Sequence, residues 1–211
     1  HRSNERRMSL DIVCLDLEGV LVPEIWINVA DRTGIPDLRL TTKDIADYNE
    51  LMAHRLDILE REGIGLADIQ NVIAELTPMD GANAFLDRLR GRFQVVILSD
   101  TFYEFAQPLM RLLDWPTLFC HRIHTDKRGR ISGYTLRMPN HKKAAVDAFK
   151  RLNFSVLAAG DSYNDTAMLG AADTGILFRP PANVIREFPE FTVVTEYNAL
   201  FDTFDRARAG D

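Results

Sequence analysis

Apolar residues fall along this chain in two patterns. Short runs, Ile12-Val13-Cys14-Leu15, Val95-Val96-Ile97-Leu98, Val156-Leu157-Ala158-Ala159 and Ile176-Leu177-Phe178, are unbroken by polar residues. Such runs predict strands buried on both faces. Between them, longer amphipathic stretches predict helices near 81–91, 104–113, 141–152, 163–171 and 196–208, with Gly91 and Gly170 at expected helix stops. The alternation predicts an α/β domain with a doubly wound, Rossmann-like parallel sheet.

Two segments interrupt this alternation. From Pro23 to Pro78 there is no strand pattern. Apolar residues recur instead at helical spacing: Ile25, Trp26 and Val29, then Tyr48, Leu51, Met52, Leu56 and Leu59, then Leu66, Ile69, Ile73 and Leu76. This predicts a helical cap inserted after the first strand. In the second segment, 121–137, two strand-like stretches flank Asp126-Lys127-Arg128-Gly129, a β-hairpin signal. The expected division is a core of 8–22 and 79–205, a cap of 23–78, and a disordered leader of 1–7.

Charge narrows the classes of function. Among 211 residues, 25 Lys and Arg face 31 Asp and Glu, for a formal net charge of -6. An acidic chain lacks the basic footprint that nucleic acid requires. No apolar run approaches the roughly 20 residues of a membrane span. The leader carries Arg2, Arg6 and Arg7 without an apolar stretch behind them, so it does not read as a signal peptide. Two cysteines cannot make a disulfide framework. Cys14 sits in an apolar run and reads as a small buried hydrophobe, and a reducing cytoplasm is the expected setting.

The candidate chemistry lies where apolar runs end: at Asp16-Leu17-Glu18-Gly19, at Ser99-Asp100-Thr101, and at Gly160-Asp161-Ser162-Tyr163-Asn164-Asp165. An Asp after a strand is often only a cap or turn residue. In open parallel sheets, however, ligands bind at the carboxyl ends of strands, so these clusters should converge. Asp16, Glu18, Asp161 and Asp165 would then crowd like charges into one crevice. A hard cation with oxygen ligands relieves that crowding, and Mg²⁺ is the usual choice where phosphate also binds.

These motifs, with Lys142 between the second and third, resemble the haloacid dehalogenase superfamily, and within it the phosphoserine phosphatases. The similarity is greatest to the bifunctional kind that also passes phosphate to homoserine. The resemblance implies a Mg²⁺-dependent phosphatase acting on O-phospho-L-serine through an aspartyl phosphate. Asp16 would be nucleophile and metal ligand, and Glu18 the general acid and base with its carbonyl on the metal. Asp161 would bind Mg²⁺ directly, and Asp165 would support it. Ser99 and a motif lysine would hold the phosphoryl group, Asn164 would contact substrate or phosphate, and Glu24 and Arg55 would clasp the amino acid. The family commonly has Asp where Glu18 stands, so here the acid reaches one methylene further.

Several residues admit more than one reading. Lys142 and Lys143 compete for the lysine role, and family spacing favours Lys142. Asp100 reads equally as a substrate-handling carboxylate or a helix cap. Without the resemblance, Glu24 and Arg55 would read as solvated charges. His54, His121, His124 and His141 lack zinc-site spacing with Cys partners, and Trp26 and Trp115 read as packing residues. Alternatives are a phosphatase for another small phosphorylated metabolite and a receiver-like signalling module. A homodimer is left open.

Overall fold

The computed structural model describes residues 10–42, 44–45 and 47–208, so the expected leader lies outside the described residues. Strand β1 (Leu10–Leu15) is followed by helices α1 (Ile25–Thr33), α2 (Tyr48–Arg61) and α3 (Leu66–Ala74). The chain then runs through α4 (Ala82–Arg90), β2 (Gln94–Phe102), α5 (Tyr103–Leu112), β3 (Leu118–Thr125) and β4 (Ile131–Thr135). It finishes with α6 (His141–Arg151), β5 (Phe154–Gly160), α7 (Thr166–Ala171), β6 (Thr174–Phe178), α8 (Ala182–Glu187), β7 (Thr192–Val194) and α9 (Tyr197–Arg206).

The strands form one seven-stranded sheet in the order β4-β3-β2-β1-β5-β6-β7. All neighbours pair in parallel except β3 with β4. The order reverses at β1: β2 lies on one side and β5 on the other. This is the switch point where a crevice opens beyond the strand ends.

The unbroken apolar runs have a direct explanation. In β1, Val13 and Leu15 join a core on one face, with residues of α1–α5 and α9. Ile12 and Cys14 join the core on the other, with α6–α8. Both faces are dry from Ile12 to Leu15, so all four of these positions are apolar, while Leu10 and Asp11 at the strand's start are not fully buried. Burial pushes the Cys14 thiol well above its ordinary range, as expected of a small buried hydrophobe.

The helical insertion forms as its periodicity predicts. Asp47 caps α2 by accepting from the Glu50 N–H at 2.8 Å. Ile69 and Ile73 of α3 pack into the first core. The insertion returns beside its starting point, where the Met79 N–H donates to the Leu21 carbonyl at 2.9 Å.

Several expectations need correction. The segment read only as a hairpin begins earlier: Leu118 and Phe119 pair in parallel with Ile97 and Leu98, so β3 extends the main sheet. The helix expected over 163–171 opens with a 3-10 turn at Tyr163–Asp165, and Gly170 lies inside α7 rather than stopping it. Trp26 packs edge-on to Phe105, but Trp115 is 56% exposed. Strand β7 and helix α8 were not foreseen.

Truncating Leu157, fully buried in β5, to Ala should cost about 2–5 kcal/mol in urea unfolding. Leu152, exposed after α6, should tolerate Ala within about 0.5 kcal/mol.

Candidate active site

Asp16 follows β1 directly, and its backbone N–H is tied to the Ala159 carbonyl of β5 at 3.0 Å. One carboxylate oxygen, Oδ1, accepts from the Leu17 N–H (2.8 Å) and from Lys142 Nζ (3.0 Å). Among the described residues, no hydrogen bond goes to Oδ2. The chain then folds back sharply, with the Leu21 and Val22 N–H groups both donating to the Leu17 carbonyl. Gly19 makes this turn at φ 80°, and a Cβ there would collide with the Asp161 carboxylate. Only glycine meets both demands without strain.

Of the two candidate lysines, Lys142 is the one that lies among the clustered carboxylates. Asn140, in a left-handed conformation, starts α6, and Lys142 points inward from its first turn. Its Nζ bridges Asp16 and Asp165, the latter at 2.8 Å. Lys143 instead pairs with Asp147 on the exposed face. Asp165 is fully buried, and its Oδ2 accepts from the Asp161 and Ser162 N–H groups at 2.9 and 3.1 Å. A Cβ on Gly160 would strike Asp165, so that glycine admits the close approach.

Oxygens of Asp16, Asp161 and Asp165 lie within 4.8 Å of one another. Burial, with Asp165 and Asp161, raises the Asp16 pKa against the pull of Lys142. Burial and Asp165 push Asp161 up to about 7. One lysine does not neutralise this group, and its donors are all hard oxygens. The residues present therefore fit a cation such as Mg²⁺. Since Asp165 already serves Lys142 and two N–H groups, Asp16 and Asp161 are the carboxylates better placed to touch a metal.

Glu18 accepts from the Ile25 N–H at 2.8 Å, which fastens it to the start of α1. Burial and the Glu24 charge raise its pKa to about 8, against the Ile25 N–H and the Arg55 and Lys142 charges. A carboxyl protonated near neutrality suits a general acid. Arg55 is 6% exposed, which rules out the reading of a solvated charge. It lies over the Trp26 ring at 4.5 Å and donates to the Leu40 carbonyl at 2.8 Å, while its Nε has no hydrogen-bond partner among the described residues. Glu24 is exposed at the N-terminus of α1.

A pocket of about 310 Å³ brings together Asp16, Glu18, Glu24, Asp100, Lys142, Asp161 and Asn164. Arg55 and Ser99 are not among its lining residues. Ser99 is buried just behind it, with its Oγ accepting from the Thr101 N–H at 3.2 Å. Asp100 is not a helix cap: it lies within β2, and its carboxylate meets His121 and His141. Thr41, Thr42 and Ser162 also line the pocket. The threonines carry no sequence signal, because they lie between helices in a stretch without periodicity. His141 could have been suspected from its place beside Lys142.

Comparison with known proteins agrees with this architecture. Residues 10–173 match the family described as haloacid dehalogenase-like hydrolase. A "Phosphoserine phosphatase" of Pseudomonas syringae pv. tomato is 59% identical over 199 residues, covering 94% of this chain and 84% of the relative. "Phosphoserine phosphatase ThrH" of Pseudomonas aeruginosa is 59% identical over 198 residues, covering 94% of this chain and 97% of that protein. A solved structure titled "Phospho-Aspartyl Intermediate Analogue of Phosphoserine phosphatase" superposes with a TM-score of 0.76 at 17% identity, covering 93% of this chain and 99% of its own. This last likeness speaks for the fold alone. The receiver-like alternative is thereby displaced: the chain belongs to the haloacid dehalogenase-like hydrolase family.

Proposed function

We propose that this protein is a Mg²⁺-dependent phosphatase that hydrolyses O-phospho-L-serine through an aspartyl phosphate on Asp16, and that it also transfers the phosphoryl group to homoserine. The observation that carries the reading is the buried Asp16 carboxylate, held by Lys142 on one oxygen and with no hydrogen bond among the described residues on the other. The two relatives at 59% identity, both named as phosphoserine phosphatases, support the choice of substrate.

In the first step an Asp16 oxygen attacks phosphorus, the phosphorus–oxygen bond to serine breaks, and Glu18 gives its proton to the departing alkoxide. In the second step Glu18, now a carboxylate, takes a proton from water as the water oxygen attacks phosphorus. The bond to Asp16 then breaks and phosphate is released. With homoserine in place of water, the same step yields phosphohomoserine. Lys142 neutralises charge on Asp16 and the phosphoryl oxygens, and Ser99 and Asn164 hold that group in place. Glu24 pairs with the substrate ammonium, and Arg55 turns its guanidinium to the carboxylate. Asp16, Asp161 and the Glu18 carbonyl would hold Mg²⁺, with Asp165 acting through Lys142 and the loop. When bound, the cation screens the repulsion between phosphate and the carboxylates.

Asp16→Asn should lower phosphate release from phosphoserine by at least about four orders of magnitude while the circular dichroism spectrum stays native. Near-native turnover in this variant would sink the assignment of the nucleophile.

Adding homoserine to the wild-type reaction should divert phosphate into phosphohomoserine, seen by phosphorus NMR. Unchanged phosphate release with no new ester would remove the transferase branch and leave the phosphatase intact.

The metal-free protein should lose stability with rising pH. Glu18 and Asp161 have folded pKa values near 8 and 7, above the ordinary 4.5 and 3.8. Raised acid groups contribute stability below their unfolded pKa and lose it as pH passes the folded value. The rise in Tm on replacing EDTA with Mg²⁺ should therefore be larger at pH 8 than at pH 6. An equal rise at both values would argue against cation binding at Asp16 and Asp161.

A further inference from the structure

Behind the phosphoryl side of the pocket lies a cluster that the reaction does not use. Asp100 Oδ1 is 3.2 Å from His121 Nε2 and 3.0 Å from His141 Nε2. Its other oxygen is 3.8 Å from Lys142 Nζ, the group that holds Asp16. Both histidines are buried, while the Asp100 side chain is 33% exposed. Asp100 stands between the reaction pocket and a second cavity of about 360 Å³, and it lines both.

The trio has the donor composition of a metal site, but the hydrogen bonding argues otherwise. The Arg137 backbone N–H donates to His121 Nδ1 at 3.0 Å. That bond requires a lone pair on Nδ1, so the ring proton sits on Nε2, facing Asp100. No lone pair remains there for a cation. Burial lowers the His141 pKa, against its bond to Asp100, and so favours the neutral ring. Asp100 thus receives N–H donors from two imidazoles in addition to the nearby ammonium. Burial alone would raise its pKa, but Lys142 and the two histidines together hold it well below the usual carboxylate range. Protonating Asp100 would weaken both histidine contacts, so these bonds oppose the loss of its charge when an anion arrives.

We propose that Asp100 is a fixed anion beside the phosphoryl site that weakens the enzyme's hold on phosphate and so speeds its release. This rests on the phosphatase reading above. A dianion drawn in by Lys142 and a metal meets a third negative carboxylate within reach of the same lysine. The repulsion acts on bound phosphate and on the phosphate ester alike, so it raises KM and limits product inhibition together. The neutral histidines are positioning residues: they aim the carboxylate and keep it ionised without cancelling its charge.

The test is calorimetric titration of the Mg²⁺-loaded protein with inorganic phosphate, together with steady-state kinetics on phosphoserine. Asp100→Asn should bind phosphate about tenfold more tightly and lower KM for phosphoserine in the same direction. Asp100→Ser, a second neutral variant of different shape, should tighten phosphate binding as well. Tightening common to both assigns the effect to charge. Unchanged or weaker phosphate binding in whichever variant folds would overturn the proposal, since a merely structural or a phosphate-holding Asp100 predicts one of those. A wild-type protein that turns over phosphoserine while its variants keep the same phosphate Kd overturns this inference alone. A wild type indifferent to both phosphate and phosphoserine overturns the phosphatase reading with it.

Discussion

The ammonium of Lys142, held between Asp16 and Asp165, is the contact around which the site is organised. It joins the end of β1 to the loop after β5, through a helix that begins more than a hundred residues after Asp16. Burying carboxylates together is unfavourable without a cation among them. The lysine stands in that place, with too little charge to neutralise the cluster alone. The same shortage that strains the metal-free protein makes the crevice attractive to a divalent ion.

The fold sets that contact by simple means. Parallel pairing of β1 with both β2 and β5 brings Asp16, Ser99 and Asp161 to a common rim. The inserted helices then supply what the rim lacks. The Ile25 N–H holds Glu18, and the Tyr48 hydroxyl donates to the Asp100 carbonyl at 3.1 Å. The hairpin braces the insertion in turn, through Tyr134 on Asn49 and the Leu66 N–H on the Gly129 carbonyl.

Much of this was legible in the sequence because its causes are local. Strands buried on both faces must be apolar throughout, so Ile12–Leu15 and Val156–Ala159 declared themselves. The carboxylates stood out because polar residues ended those runs. What escaped depends on partners distant in the chain. Thr192–Val194 is short and partly exposed, and only pairing with Ile176–Phe178 makes it a strand. Leu118 and Phe119 join the sheet by tertiary pairing that no local pattern announces. Arg55 reads as a surface charge until Trp26 and Leu40 enclose it. His121 and His141 lie 20 residues apart in sequence, and only the fold sets both against one carboxylate of β2.

The bond from Met79 to the Leu21 carbonyl has an evolutionary implication. It staples the two ends of the α1–α3 excursion together at its base, so the excursion is a side branch on an otherwise continuous scaffold. Such a branch can change in length and sequence beyond α1 while the strands beneath it keep their register. Variation gathered in the branch, with the sheet left standing, is the outcome such an attachment favours.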